Sequence, residues 1–133
     1  MKYLCLIYVD DSRIAQLPGP VFRQVIDECR CNEARLRENG QLLAAQALEP
    51  VASATTLRHA GGDLVITDGP FAETKEHLGG FVLLEARDLN EALQIASRLP
   101  SGRLGCVEVR PVRDWDRYFA GQEPIDTIRR MSC

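Results

Sequence analysis

The chain has 133 residues, enough for one domain with a real hydrophobic core and too few for two ordinary ones. Hydrophobic residues make up 45% and charged residues 26%, a globular composition that excludes wholesale disorder. The 16 Lys and Arg against 19 Asp and Glu leave a net charge of −3. With no basic stripe beyond the Arg129-Arg130 pair, this balance argues against binding nucleic acid through its phosphates.

Residues 2–9 form an almost continuous apolar run with β-branched and aromatic members, which predicts a strand buried on both faces. The run falls far short of the ~20 residues of a membrane span. No small-residue cleavage site follows it, so a cytoplasmic protein without a membrane anchor is the expectation. A turn-rich stretch leads to Pro18-Gly19-Pro20, and Pro20 suits the first turn of a helix. Val21, Phe22, Val25, Ile26, Cys29 and Leu36 then keep mostly helical spacing, with Arg23, Asp27, Arg30 and Arg37 on the other side. Asn39-Gly40 supplies a stop, and the pattern predicts a helix over 20–39.

Residues 42–48 return to a strand-like run ended by Pro50. Thr55-Thr56-Leu57-Arg58 and Leu64-Val65-Ile66-Thr67 flank Gly61-Gly62-Asp63, a hairpin with a glycine turn. A loop over 68–80 precedes an apolar strand over 81–86. Asp88-Leu89-Asn90-Glu91 has the form of a capping box. The helix it opens carries Leu89, Ala92, Leu93, Ala96 and Leu99 on one face and stops at Pro100. Residues 104–112 make a last strand.

Two βαβ-like halves with an inserted hairpin predict an α+β, ferredoxin-like layer with both helices on one side of the sheet. Two helices cover one face only. Yet Tyr3, Cys5, Ile7 and Val9 alternate with Leu4, Leu6 and Tyr8, and Phe81 and Leu83 alternate with Val82 and Leu84, so both faces are apolar. The simplest cover for the second face is another copy of the chain, a homodimer with sheets packed face to face. After Val112 the composition changes, so residues 1–113 are expected to form the domain and 114–133 a tail. In that tail Trp115, Tyr118 and Phe119 predict a short helix docked on the body or across the dimer, and the last few residues are expected to be mobile.

The cysteines, Cys5, Cys29, Cys31, Cys106 and Cys133, are odd in number and form no C-x-x-C pair, so unpaired thiols are expected. Cys5 and Cys106 read as small apolar fillers of strands. His59 and His77, with scattered carboxylates, match no metal-ligand spacing, and no phosphate-binding glycine loop opens a helix. No metal and no cofactor are expected.

The run Asp68-Gly69-Pro70-Phe71-Ala72-Glu73-Thr74-Lys75-Glu76, followed by Leu78-Gly79-Gly80-Phe81, resembles the signature of the DGPF branch of the YCII-related family. The apolar strand ending at Tyr8 and the closing Val107-Glu108-Val109-Arg110-Pro111-Val112 fit the same pattern, over roughly residues 1–113. The resemblance implies a dimeric α+β barrel of ferredoxin-like protomers. Its superfamily includes enzymes that isomerise or dehydrochlorinate lactones and phenolic rings, some proposed to use a His–Asp pair with the His near the first helix. Residues 20–39 contain no histidine. DGPF members often occur beside sigma factors of the extracytoplasmic type, which implies a regulatory role as the alternative.

Backbone physics alone explains Asp68-Gly69-Pro70: Asp caps a turn, Gly frees it, Pro fixes φ and Phe71 anchors the loop in the core. The functional reading makes Asp68 a catalytic carboxylate with His77 as its partner. Gly69, Pro70, Phe71, Glu73 and Lys75 then border a ligand cleft between the sheets of the dimer. His77 next to Leu78-Gly79-Gly80 suits that place, since paired glycines entering a strand permit either a bulge or a close approach. The sequence thus supports two functions: a small-molecule-binding homodimer with proton-transfer chemistry, or a non-enzymatic module that binds a sigma factor.

Overall fold

The computed structural model describes residues 1–121. Its centre is β1, Lys2–Val9, an eight-residue strand in which Tyr3, Cys5, Ile7 and Val9 are buried. It pairs antiparallel on one side with β5, His77–Glu85, and on the other with β6, Gly105–Pro111. β2, Leu42–Ala47, pairs with the outer edge of β5, giving the order β2-β5-β1-β6. The two long helices, α2 (Gly19–Glu38) and α3 (Leu89–Ser97), pack on the same face. This is the ferredoxin-like α+β layer expected from the pattern of strands and helices.

The core follows from alternation. Cys5 lies opposite Val82 and Val109, and all three turn towards Leu36 of α2 and Ala96 of α3. Leu84, in the same layer, is 0% exposed. Burying a side chain of that size stabilises the fold by about 1.5–3 kcal/mol. The other face carries Leu4, Leu6 and Tyr8, opposite Leu83, Phe81 and Leu78, and these stay only partly covered or exposed. Within one chain the strand is buried on one face, because both helices lie on that side.

Two boundaries differ from the pattern-based reading. The turn-rich stretch after β1 contains a helix, α1 (Asp11–Gln16), capped by Asp10, whose carboxylate accepts from the Ser12 N–H at 3.0 Å and the Ser12 hydroxyl at 2.6 Å. The loop after the hairpin is shorter than expected, because β5 begins at His77 and takes in Leu78-Gly79-Gly80. The register slips between Ile7 and Tyr8, so Gly79 is the extra residue of a bulge. A Cβ on Gly79 would lie 2.6 Å from a Val9 methyl, and one on Gly80 would lie 2.8 Å from the Gln46 carbonyl oxygen. The paired glycines thus serve both strand bulging and close backbone approach.

The hairpin forms a separate two-stranded sheet, β3 (Thr55–Ala60) with β4 (Asp63–Asp68), turned by Gly61 and Gly62 at φ of 59° and 86°. Positive φ at both turn positions is the geometry that glycine provides without strain. Leu57 and Ile66 face each other across it at 60% and 63% exposure. Asp88 caps α3 by accepting from the Glu91 N–H, and Glu91 reaches back to the Arg87 N–H, a close variant of the expected capping box. Helix α4 (Trp115–Phe119) packs its aromatics on one another: Trp115 stacks on Phe119 at 5.5 Å and meets Tyr118 edge-on at 5.6 Å. Trp115 and Tyr118 remain exposed, beneath the Arg113 guanidinium at 5.0 Å from each ring. The expectations for Arg129-Arg130, Cys133 and the final tail residues lie outside the described residues.

Candidate functional site

The loop 68–77 is shaped mainly by its backbone. Asp68 ends β4 opposite Thr55. Gly69 follows at φ 96°, its N–H donating to the Ala54 carbonyl at 2.7 Å and its carbonyl accepting from the Thr56 hydroxyl at 2.8 Å. That conformation favours glycine, and Pro70 then restricts the chain beyond it. Phe71 does not anchor the loop in the core: it is 77% exposed, and its carbonyl accepts from Arg58 at 3.3 Å. The ring lies outside with the end of the hairpin that precedes it, a separate two-stranded sheet whose β4 is exposed along its length.

The second half of the loop returns to the body. The Thr74 hydroxyl donates to the Glu76 carbonyl at 2.6 Å, and lies 3.3 Å from His77 Nδ1. His77 pairs with Val9 at the end of β1. Asp68 and His77 share no hydrogen bond or ion pair among the described residues. Glu73 is exposed, and Glu76 accepts from the Cys106 thiol at 3.4 Å, a bond that raises the thiol's pKa. Cys106 is exposed, not the apolar strand filler the sequence suggested, because it falls on the uncovered face of β6 beside Tyr8. Cys5 is such a filler, buried on the covered face.

Lys75 adds its charge to a group the sequence did not single out. Asp10 is a buried carboxylate at the start of α1. Its pKa is held below the ordinary value, first by the Ser12 hydroxyl, then by the Ser12 and Arg13 N–H groups and the Lys75 ammonium. The signal was readable: an acidic residue at the end of an apolar strand with Ser two positions later is a helix N-cap pattern.

A concavity lies elsewhere, between α2 and the covered face of the sheet. It is a cavity of about 680 Å³. Its apolar wall includes Ile7 and Val9 of β1, Phe22 and Ile26 of α2, Val82 of β5 and Leu104 of the short 3₁₀ turn Pro100–Leu104. Its polar lining has one cation, Arg30, against three carboxylates, Asp11, Glu33 and Glu49, with Asn32, Gln46, Cys29 and Ser101. Asp11 is held there by the Val51 N–H, which donates to it at 3.2 Å. Burial, foremost, raises the pKa of the Cys29 thiol, which is therefore no ready nucleophile.

This volume and its mix of apolar wall with a few polar groups match a small-molecule site. Leu78, Gly79 and Gly80 belong to the wall, whereas Asp68, Gly69, Pro70, Phe71, Glu73, Lys75 and His77 do not. A shallower hollow of about 390 Å³ lies between α3 and β6 and gathers only Arg103 and Ser97 as polar side chains. No three His, Cys, Asp or Glu side chains among the described residues gather as a metal site requires, and no helix among them is long and apolar enough to cross a membrane.

The model of the YCII-related domain matches residues 1–116. The chain belongs to the YCII-related family. An uncharacterised protein of Rhizobium meliloti (strain 1021) is 37% identical to this YCII-related chain over 114 residues, covering 84% of it and 92% of the relative. Among solved structures, 5-chloro-2-hydroxyhydroquinone dehydrochlorinase from Burkholderia phenoliruptrix AC1100, in complex with 2,5-dihydroxybenzoquinone, aligns at 17% identity with a TM-score of 0.44, covering 85% of this chain and 94% of that one. That likeness is too distant to carry chemistry across.

Proposed function

We propose that this YCII-related protein binds a small organic molecule in the cavity between α2 and the sheet. The observation that carries the reading is the cavity itself: about 680 Å³, mostly apolar, with a few polar side chains in its lining. Proton transfer, in an isomerase- or dehydrochlorinase-like reaction, is the chemistry proposed for it. His77 is the better placed of the two acid–base candidates, because its neighbours Leu78, Gly79 and Gly80 form part of the wall. Asp68, on the exposed end of the hairpin, then serves the turn.

The working unit we propose is a homodimer that buries the second sheet face, with Leu4, Leu6, Tyr8, Phe81 and Leu83 at its centre. The exposed Leu57, Ile66 and Phe71 favour a second reading, in which hairpin and loop dock on another protein such as a sigma factor.

A thermal-shift screen of lactones, phenols and aryl ketones tests the first reading. Ligands that bind only the folded protein raise its melting temperature by mass action. Hits on the wild type that vanish in Ala45→Phe, which fills the cavity from β2, support it. Hits that survive Ala45→Phe, or no hits at all from a folded wild type, oppose it. For the hits, His77→Gln is expected to retain binding and lose turnover, with Asp68→Asn retaining both.

A further inference from the structure

Asn32 stands on the core-facing stripe of α2, seven residues after Val25 and four before Leu36, where an apolar side chain is the ordinary choice. It is only 9% exposed, and it lines the cavity. Its Oδ1 accepts a hydrogen bond from the Arg35 guanidinium one turn along the helix. Arg has only donors to offer, so the atom facing it is the oxygen and the amide NH2 is turned away. Among the described residues that NH2 has no hydrogen-bond partner, yet no fully enclosed polar atom is left unpaired. The donor therefore opens onto the cavity space. A buried amide with a free donor is costly unless something fills the vacancy.

We infer that the Asn32 amide is the specificity-determining donor of the cavity, hydrogen-bonding the oxygen of a neutral, largely apolar ligand that carries a carbonyl or hydroxyl group. The inference rests on the reading of the cavity as a ligand site. The class follows from the lining. Ile7, Val9 and Phe22 favour an apolar body, and Asn32 favours an acceptor oxygen. Asp11, Glu33 and Glu49 outnumber Arg30, so a carboxylate or phosphate would enter against like charge. Asn32 touches the ligand; Arg35 is a positioning residue that holds the amide the right way round.

Four probes of similar size separate these effects: acetophenone, benzyl alcohol, ethylbenzene and benzoate, titrated by NMR into the wild type and into Asn32→Asp. The N32D variant keeps an oxygen for Arg35 and removes the donor; Asn32→Leu repeats the test if N32D does not fold. The wild type is expected to bind acetophenone and benzyl alcohol more tightly than ethylbenzene, and benzoate most weakly. Loss of one neutral hydrogen bond weakens the two oxygenated probes roughly three- to tenfold in the variant and leaves ethylbenzene unchanged. Equal weakening of ethylbenzene, or no weakening of acetophenone, overturns the role of Asn32. Benzoate binding as tightly as acetophenone overturns the ligand class. If none of the four binds the wild type, the cavity reading falls and the inference with it.

Discussion

The Arg35 guanidinium hydrogen-bonds Asn32 Oδ1 from one turn further along α2, so an exposed cation sets the direction in which a buried amide faces. Among the described residues, one of the four hydrogen bonds an Asn side chain can make is met, and neither donor is. Such a group contributes little to folding, because the desolvated donor offsets the bond its oxygen makes. Asn32→Leu, similar in size and apolar, is accordingly expected to change the unfolding free energy by less than about 1 kcal/mol, with Arg35 returning to water. Urea unfolding measures this. A loss of ~3 kcal/mol or more would mean the amide is structural and not held ready for a ligand.

The centre of the sheet should respond differently. Leu84 is fully buried near the end of β5, in contact with the layer that α2 and α3 cover. Truncating it to Ala leaves a cavity that a four-stranded sheet cannot collapse, so Leu84→Ala is expected to cost about 2–5 kcal/mol. Denaturant midpoints at constant slope would report it, and a cost under ~1 kcal/mol would place Leu84 outside the core.

Acid should weaken the fold through Asp10. Its pKa in the folded chain lies below the ordinary 3.8, so the folded state prefers the carboxylate more strongly than the unfolded chain does. Its contribution is complete above that ordinary value and is lost as the pH falls through the folded pKa. Asp10→Asn lacks this titration. The stability advantage of the wild type over D10N should be full at about pH 6 and shrink by about pH 2.5. An advantage that does not change between the two would remove Asp10 from the acid response.

Thiol chemistry should divide by burial. Desolvation pushes Cys5 up to about 11, while Cys31 is exposed on α2. At about pH 8 roughly one Cys5 in a thousand is thiolate, and its sulfur is shielded as well. Labelling with a thiol reagent, read by peptide mass, should modify Cys31 quickly and Cys5 only after unfolding. Modification of both at similar rates in the native protein would contradict the packing around β1.

Periodicity made the framework legible. Alternation in residues 2–9, the glycine turn at Gly61-Gly62 and the cap at Asp88 each depend on neighbours close in sequence, and each appears where local rules put it. Helix α1 was harder to see, because its six residues carry no apolar stripe, and only the Asp10 cap announces it. Phe71 misled for a tertiary reason: a large aromatic in a loop suggests an anchor, but its environment depends on where the hairpin carries it.

The cavity was not legible as a unit. Its walls come from β1, α2, β5 and the 3₁₀ turn before β6, which meet only on folding. Asn32 did leave a trace, a polar residue in the apolar stripe of α2 between Cys29 and Leu36. The charged loop 68–77 is more conspicuous in sequence, but its shape is largely explained by turn geometry.

The central claim, that a small molecule binds between α2 and the sheet, is tested most directly by mapping backbone amide shifts as the strongest ligand from the screen is titrated. Binding in the cavity is expected to cluster the shifts on Ile7, Ile26, Asn32, Gly80 and Val82, which saturate together. Shifts confined to Leu57, Ile66 and Phe71, or to Leu4 and Leu83 on the open face, would contradict it and move the function to the surface of the hairpin or the sheet.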